Sequence, residues 1–240
     1  MAPHRTAQIA PGLSGVSNTM LWALHNRAIE AARRDSVLDD PGSVHIHQSI
    51  DYDFDRHFGI PSGSLAARAA GIDQALRQWI DRHPDGTVIS LGEGLETQSQ
   101  RVDNGRVRWL SVDLPEAISL RERFLTPTDR FRHIAISALD PAWMDAVDPM
   151  ADVFIVAQGL LMYLQPAMVQ ALFANIGWRT RCGACAARSR TSGTSCSASR
   201  RISASSSGTC SSACRMAAVL PLRARRALAC RPTLRFRLSR

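Results

Sequence analysis

The chain has 240 residues, 45% of them hydrophobic, which is enough for one α/β domain with its own core. It holds no run of about 18 uncharged apolar residues, and its first residues lack an apolar signal segment. We therefore expect a cytoplasmic protein with no membrane partner. The net charge of +8 is unevenly spread: residues 1–177 carry 15 Arg and all 21 acidic residues, whereas residues 178–240 carry 14 Arg and no acid.

Residues 1–82 predict a helical cap or lid. The segments 16–32 and 64–82 both place apolar residues on one face at helical spacing. Turn residues at 39–42 and a loop around Pro61 separate these two predicted helices. A region of this kind, placed before a sheet, can cover a ligand that binds at the sheet.

Residues 83–177 predict an α/β core. Short β-branched or apolar runs alternate here with segments of helical pattern, which is typical of a doubly wound sheet with parallel strands. The predicted strands are 87–91, 108–113, 132–137 and 151–157, and helices are predicted to begin at Pro115 and Pro166.

The loop Gly92-Glu93-Gly94 follows the first predicted strand. Glycine lets backbone approach a ligand closely, although a tight turn between strand and helix would use the same residues. Asp113 ends the next predicted strand, nineteen residues after Gly94, where a carboxylate can accept both hydroxyl protons of a ribose. The third glycine of the dinucleotide fingerprint is missing, which disfavours a nicotinamide cofactor. The pattern indicates a nucleoside-containing ligand.

Three ordered motifs resemble the leucine carboxyl methyltransferase family over about residues 15–176: Leu91-Gly92-Glu93-Gly94-Leu95-Glu96-Thr97, Val112-Asp113-Leu114-Pro115-Glu116 and Gly159-Leu160-Leu161-Met162-Tyr163-Leu164. The bacterial branch, similar to tetracenomycin-type polyketide O-methyltransferases, fits best. The resemblance implies a Rossmann-like class I methyltransferase sheet with an N-terminal helical lid, and S-adenosylmethionine as the cofactor.

The resemblance also implies roles for individual residues. Gly92 and Gly94 would pass beneath the methionine part of the cofactor, Asp113 would hold the ribose, and Arg68 would grip the carboxylate. The segment beside the adenine would be Ser137, Ala138 and Leu139. Arg27 and Tyr163 are further candidates for the site. A helix-surface position is an equal alternative for Arg27, and packing in the core is an equal alternative for Tyr163.

Methyl transfer to an oxygen atom of a small-molecule acceptor follows from this resemblance. A carboxylate acceptor is already ionised at pH 7, so positioning and desolvation suffice and no catalytic residue is assigned. A phenol acceptor would need a general base, and the candidate histidines are scattered along the sequence. They are His25, His45, His47 and His57.

Two departures from the family pattern concern the site. Gln158 occupies a position where relatives usually carry a glutamate that can face the ammonium group of the cofactor, so a charge is missing. Gln98 replaces a usual arginine. The sequence after residue 177 does not show the pattern of the further strands that the family fold contains. We therefore expect an uncovered apolar edge on the strand 151–157 and little or no activity.

The segment 178–240 contains twelve Ser and no apolar periodicity, so we expect no packed element there. A basic arm could bind nucleic acid non-specifically, which is the alternative function, and paired cysteines could hold zinc. The third interpretation, which we favour, is translation of a shifted reading frame in a GC-rich gene, since the chain has no lysine. All six cysteines lie here: Cys182, Cys185, Cys196, Cys210, Cys214 and Cys230.

Overall fold

The computed structural model describes residues 10–13, 15–189 and 217–222. In these residues the chain forms one sheet flanked by helices. The strands are β1 (Thr87–Leu91), β2 (Arg108–Asp113), β3 (Phe131–Ala135), β4 (Val153–Gln158) and β5 (Ala217–Leu222). The helices are α1 (Thr19–Ala31), α2 (Pro41–Ser49), α3 (Phe54–Phe58), α4 (Ser64–Ile80), α5 (Gln98–Val102), α6 (Pro115–Arg121) and α7 (Pro166–Ser189).

The sheet has the order β3-β2-β1-β4-β5, and its first four strands are parallel. Leu91 of β1 lies opposite Val112 of β2, and Ser90 lies opposite Val156 of β4. The carboxyl ends of β1, β2 and β4 therefore meet at one edge. The order reverses between β1 and β4, the kind of place where open α/β sheets bind ligands. The predicted doubly wound α/β fold is confirmed.

Each face of the sheet carries its own apolar core. One core joins Ile89 and Val112 to Trp143 and to Leu172 of α7. The other joins Val88, Trp109 and Phe154 to the inner face of α4. Successive strand residues point to opposite faces, so the nearly continuous apolar runs of β1 and β4 supply both cores. Burial on both faces explains why these strands could be recognised in the sequence.

The N-terminal region contains more helix than the sequence predicts. The expected helices correspond to α1 and α4, but the segment 39–42, interpreted as a turn, begins α2 instead. Asp40 is the N-cap of this helix, and its carboxylate accepts a hydrogen bond from the Ser43 N–H at 3.0 Å. Pro41 follows at the first helical position, where it needs no N–H partner. The residues that favour a turn are also those that start a helix.

The region after residue 177 differs from the expectation where it is described. α7 continues to Ser189, and β5 pairs in antiparallel fashion with β4, with Val153 opposite Leu222 and Gln158 opposite Ala217. The backbone edge of β4 that we expected to be uncovered is thus paired. Cys196, Cys210, Cys214 and Cys230 lie outside the described residues, as does most of the proposed basic arm.

No metal-binding cluster occurs among the described residues. The helices searched there include none that is long and apolar enough to cross a membrane.

Candidate cofactor site

The carboxyl edge of the sheet brings together residues that are far apart in sequence. Gly92 follows β1, Asp113 ends β2 and Gln158 ends β4. Because β1 pairs with both β2 and β4, these positions belong to three adjacent strand ends. The loop after β3 reaches the same edge, since Asp113 lies opposite Ala135.

The glycine loop is held by the neighbouring strand. Gly92 donates its N–H to the Val112 carbonyl at 2.8 Å, and Gly94 donates its N–H to Asp113 Oδ2 at 2.7 Å. Both glycines have positive φ, at +64° and +55°, a conformation that other residues rarely adopt. The loop and the predicted ribose-binding carboxylate therefore form one hydrogen-bonded unit.

The glycines are also needed for protein contacts. A Cβ at Gly92 would lie 3.1 Å from Leu160 Cδ1, and a Cβ at Gly94 would lie 2.8 Å from the Cβ of Met20 on α1. We expected the missing side chains to make room for a ligand. At Gly94 the space is used by α1, so the N-terminal helical region lies directly against the loop.

Asp113 is well placed to accept further hydrogen bonds. Oδ1 accepts the Leu114 N–H at 2.8 Å while Oδ2 accepts that of Gly94, and each carboxylate oxygen can accept more than one bond. Burial raises the pKa of Asp113 above its usual value, and the two N–H groups oppose that rise. A ribose presents two hydroxyl donors, which this carboxylate can accept.

A buried arginine that the sequence analysis did not single out lies beneath the loop. Arg121 of α6 donates to the carbonyl of Gly94 at 2.9 Å and to that of Glu96 at 2.7 Å. Its guanidinium is also 3.3 Å from Glu93 Oε1, which accepts a hydrogen bond from the Trp109 indole at 3.0 Å. Burial raises the pKa of Glu93.

A second buried network fixes the end of the loop. Arg101 lies 2.8 Å from Glu96 Oε1, 2.7 Å from Asp40 Oδ2 and 2.7 Å from Asp73 Oδ2. Arg27 approaches Glu96 Oε2 at 3.2 Å, so this candidate residue has a structural partner. The two arginines lower the pKa of Glu96 to about 2 against the effect of burial.

Arg68 and Gln158 carry buried polar atoms that no described residue satisfies. Arg68 Nε has no hydrogen-bond partner there, and its guanidinium lies near Gly159, the residue after β4. Burial lowers the pKa of Arg68, which Glu96 partly opposes. Gln158 Nε2 donates to Glu96 Oε2 at 3.4 Å, whereas Oε1 is unpartnered. An anionic group beside Arg68 and a donor beside Gln158 would satisfy both.

The segment after β3 combines an apolar wall with a fixed backbone. Ala138 is buried in the core, and its carbonyl accepts a hydrogen bond from the Trp143 indole at 3.0 Å. Leu139 donates its N–H to Ser137 Oγ at 3.2 Å, and its side chain packs against the same core. A small, apolar, rigid segment of this kind suits the flat face of a purine.

The histidines of the N-terminal region are not all scattered. His25 Nδ1 lies 3.0 Å from His47 Nε2, and His25 Nε2 lies 3.1 Å from the Gly59 carbonyl. Burial and the neighbouring His25 lower the pKa of His47 to about 4. This pair ties α1 to α2 and to the loop that precedes α4, which is a structural role.

Comparisons with known proteins identify the family of the chain. Residues 21–177 match the sequence model described as leucine carboxyl methyltransferase. The chain is 33% identical over 158 residues to the tetracenomycin polyketide synthesis O-methyltransferase TcmP of Streptomyces glaucescens, and the alignment covers 65% of this chain and 58% of that protein.

Among solved structures, the plantazolicin methyltransferase BamL in complex with a triazolic desmethylPZN analog and SAH shares 12% identity, with a TM-score of 0.29. That alignment covers 66% of this chain and 68% of BamL. The family match alone spans more than half of the sequence, and it includes the glycine loop and Asp113. The chain belongs to the leucine carboxyl methyltransferase family.

Proposed function

We propose that the chain binds S-adenosylmethionine at the carboxyl edge of the sheet and transfers a methyl group to an oxygen atom of a small molecule. Membership of the family indicates this cofactor. The observation that carries the proposal is the Asp113 carboxylate, fixed to the Gly94 N–H at the end of β2. The unpartnered polar atoms of Arg68 and Gln158 support it, because the cofactor has a carboxylate and an ammonium group to offer them.

The residues present fit the cofactor as follows. Asp113 would accept the ribose hydroxyls, and Arg68 would pair with the carboxylate. Gln158 would accept a hydrogen bond from the ammonium through Oε1. The adenine would lie beside Ser137, Ala138 and Leu139, and the methionine part above Gly92 and Gly94. The bound cofactor supplies a methyl group attached to a positively charged sulfur.

The protein's contribution to transfer would be orientation and exclusion of water. An acceptor carboxylate is ionised at pH 7 and needs no base. A phenol acceptor would need a general base within hydrogen-bond reach of its hydroxyl group. The chain spans 58% of the length of TcmP, whose name records polyketide O-methylation. We propose a polyketide-like acceptor by analogy with TcmP. We also propose a cytoplasmic location.

Calorimetric titration with S-adenosylmethionine tests the cofactor site. We expect the unaltered chain to bind, and Asp113→Ala to weaken binding by about tenfold or more, because hydrogen bonds to a charged group contribute roughly 1.5–3 kcal/mol. Asp129→Asn, a change at an exposed carboxylate outside the site, is the matched control. Absence of binding by the unaltered chain would refute the proposal.

The nature of the acceptor can be tested separately with radiolabelled cofactor and a panel of aromatic polyketide acids and phenols. Transfer to a carboxylate should not change with pH between 6 and 9, whereas transfer to a phenol should rise as the hydroxyl ionises. Binding of the cofactor without transfer to any acceptor would contradict the proposed methyl transfer, and it would agree with the low activity expected from the sequence.

A further inference from the structure

We propose that Arg121 is a positioning residue of the cofactor site, whose guanidinium fixes the glycine loop and, through the loop, the carboxylate of Asp113. This inference rests on the proposed function. Arg121 lies eight residues beyond Asp113, on the helix that begins directly after β2. Its side chain is 2% exposed, so it is enclosed by protein.

The guanidinium contacts three residues of the loop at once. It donates to the carbonyls of Gly94 and Glu96 and forms an ion pair with the carboxyl group of Glu93. Arginine presents its donors in a rigid planar fork, which fixes several acceptors in one geometry. The loop between β1 and α5 is therefore hydrogen-bonded to α6 as well as to β2.

The position of the loop determines the position of Asp113. The peptide group of Gly94 donates its N–H to Asp113 Oδ2, while the carbonyl of Gly94 accepts from Arg121. A shift of this residue toward or away from α6 therefore alters the contact with the carboxylate. Displacements of about 1 Å can change binding and rate on the order of a hundredfold when geometry is demanding.

The charge of Arg121 acts on the same carboxylate. Asp113 is surrounded by the N–H groups of Gly94 and Leu114, by Arg121, which favours its ionised form, and by Glu116, which opposes it. On its other sides Arg121 lies near Glu93 and 3.4 Å from the ring of His133, which also contacts Glu122. Loss of the cation would raise the pKa of Asp113 further. On acidification, Asp113 would then be protonated and cofactor binding would be lost at a higher pH than in the unaltered protein.

Four variants separate positioning from plain stability. Arg121→Met removes the charge and the donors, and Arg121→Lys keeps the charge but not the fork. Glu93→Gln combined with Arg121→Met removes both members of the buried pair, so no lone carboxylate remains. Ile80→Ala is the matched control, because Ile80 is the last residue of α4 and is buried in the core cluster that contains Val88, away from the glycine loop.

The first measurement is hydrogen exchange of the Gly94 amide in cofactor-free protein. We expect exchange about tenfold faster in the two variants that carry the Arg121→Met substitution, which corresponds to roughly one lost hydrogen bond. Arg121→Lys should be intermediate, and Ile80→Ala should change this amide no more than it changes amides of the central strands. Equal protection in the Arg121→Met and Ile80→Ala proteins would overturn the inference, whether or not the cofactor binds.

The second measurement is the dissociation constant of S-adenosylmethionine between pH 5 and 8. The Arg121→Met variants should bind about tenfold more weakly at pH 7.5, and their affinity should decrease at a higher pH on acidification. In Arg121→Lys, which keeps the charge, the affinity should decrease at the same pH as in the unaltered chain. If Arg121→Met does not fold, the affinity and pH profile of the double variant and of Arg121→Lys test the inference. Unchanged affinity and pH profile in both would overturn the inference, whereas failure of the unaltered chain to bind would refute the proposed function instead.

Discussion

In the proposed site, Gln158 is the side chain that we expect to limit cofactor affinity. Its amide donates to Glu96 Oε2 at 3.4 Å, and its own Oε1 is buried without a partner among the described residues. Family resemblance places a glutamate here. In this chain a neutral acceptor stands beside a carboxylate whose pKa is about 2, so Glu96 supplies the permanent negative charge nearest to this position.

We expect Gln158→Glu to strengthen cofactor binding and to destabilise the free protein. The new carboxylate would lie next to ionised Glu96, and like charges in a partly buried site repel. The cation of the cofactor would relieve this repulsion, so the dissociation constant should fall several-fold while the melting temperature without cofactor decreases. Calorimetry and thermal unfolding measure the two effects.

Gln165→Glu serves as the control, because it adds the same charge at an exposed position before α7. It should leave both quantities unchanged. Weaker cofactor binding by Gln158→Glu would contradict the placement of the ammonium group beside this residue.

Individual residues of the site could be predicted only where a motif or a strand end marked them. Asp113 could be proposed from the sequence because it ends an apolar strand nineteen residues after Gly94, and the structure places it at the end of β2 beside the loop. Arg101 and Arg121 could not, because arginines are mostly exposed and nothing local indicates that the side chains of these two are only 5% and 2% exposed. Their roles depend on carboxylates and carbonyls brought close by the fold.

At the level of elements, the contact between α1 and the glycine loop is the feature that connects the helical region with the site. Met20 lies where a Cβ of Gly94 would be, and the φ of Gly94 is +55°. Gly105 has a φ of +79°, but a Cβ there would meet nothing within 4 Å. Both glycines have a positive φ, but only at Gly94 would an added Cβ collide with a neighbouring residue.

We expect Gly94→Ala to destabilise the protein by at least ~1 kcal/mol more than Gly105→Ala. Both changes place a Cβ on left-handed backbone, which costs about 1–2 kcal/mol, and only the first also forces α1 away from the loop. Urea unfolding of the two variants gives the difference. Equal losses would mean that α1 adjusts freely, and the helical region would then not be fixed to the loop.

Elements were predicted well where burial is two-sided or periodicity is long. The strands 87–91 and 108–113 agree with β1 and β2 residue for residue, because apolar runs with clear ends define them. The start of α2 was missed because Asp40 and Pro41 serve turns and helix starts equally. β5 was missed although residues 217–222 form a short apolar run, because Pro221 within the run argues against a strand and its pairing with β4 joins segments about sixty residues apart.

For the whole molecule, the buried network around Arg101 joins the helical region to the sheet. Asp40 precedes α2, Asp73 lies on α4, and Glu96 belongs to the loop after β1, yet all three carboxylates contact one guanidinium. Such a network is stabilising only when every charge is paired, since a single buried charge without its partner is costly. The tertiary arrangement of α2, α4 and the loop is therefore coupled to the ionisation of these groups.

The acid stability of the protein should reveal this coupling through Glu96. The folded-state pKa of Glu96 is about 2, below the usual value of 4.5. A lowered pKa means that the stabilisation is fully present above the unfolded value and is lost as the pH falls from about 4.5 toward 2. The linkage is on the order of 3 kcal/mol.

We therefore expect Glu96→Gln to be less stable than the unaltered chain at pH 7, with the difference shrinking as the pH falls below 4.5. Urea unfolding at pH 7, 5, 4 and 3 measures it. The raised pKa of Glu93 acts in the opposite sense. Its main cause is burial, which both proteins share, but Glu96 adds to the rise, so removing Glu96 subtracts a smaller amount from the expected difference. Asp85→Asn, which breaks an exposed pair with Arg106, should show only a much weaker trend, because solvent screens the contact that lowers the pKa of Asp85. A constant difference from pH 7 to pH 3 would mean that Glu96 acts only by packing, and that ionisation of the network does not hold the helical region on the sheet.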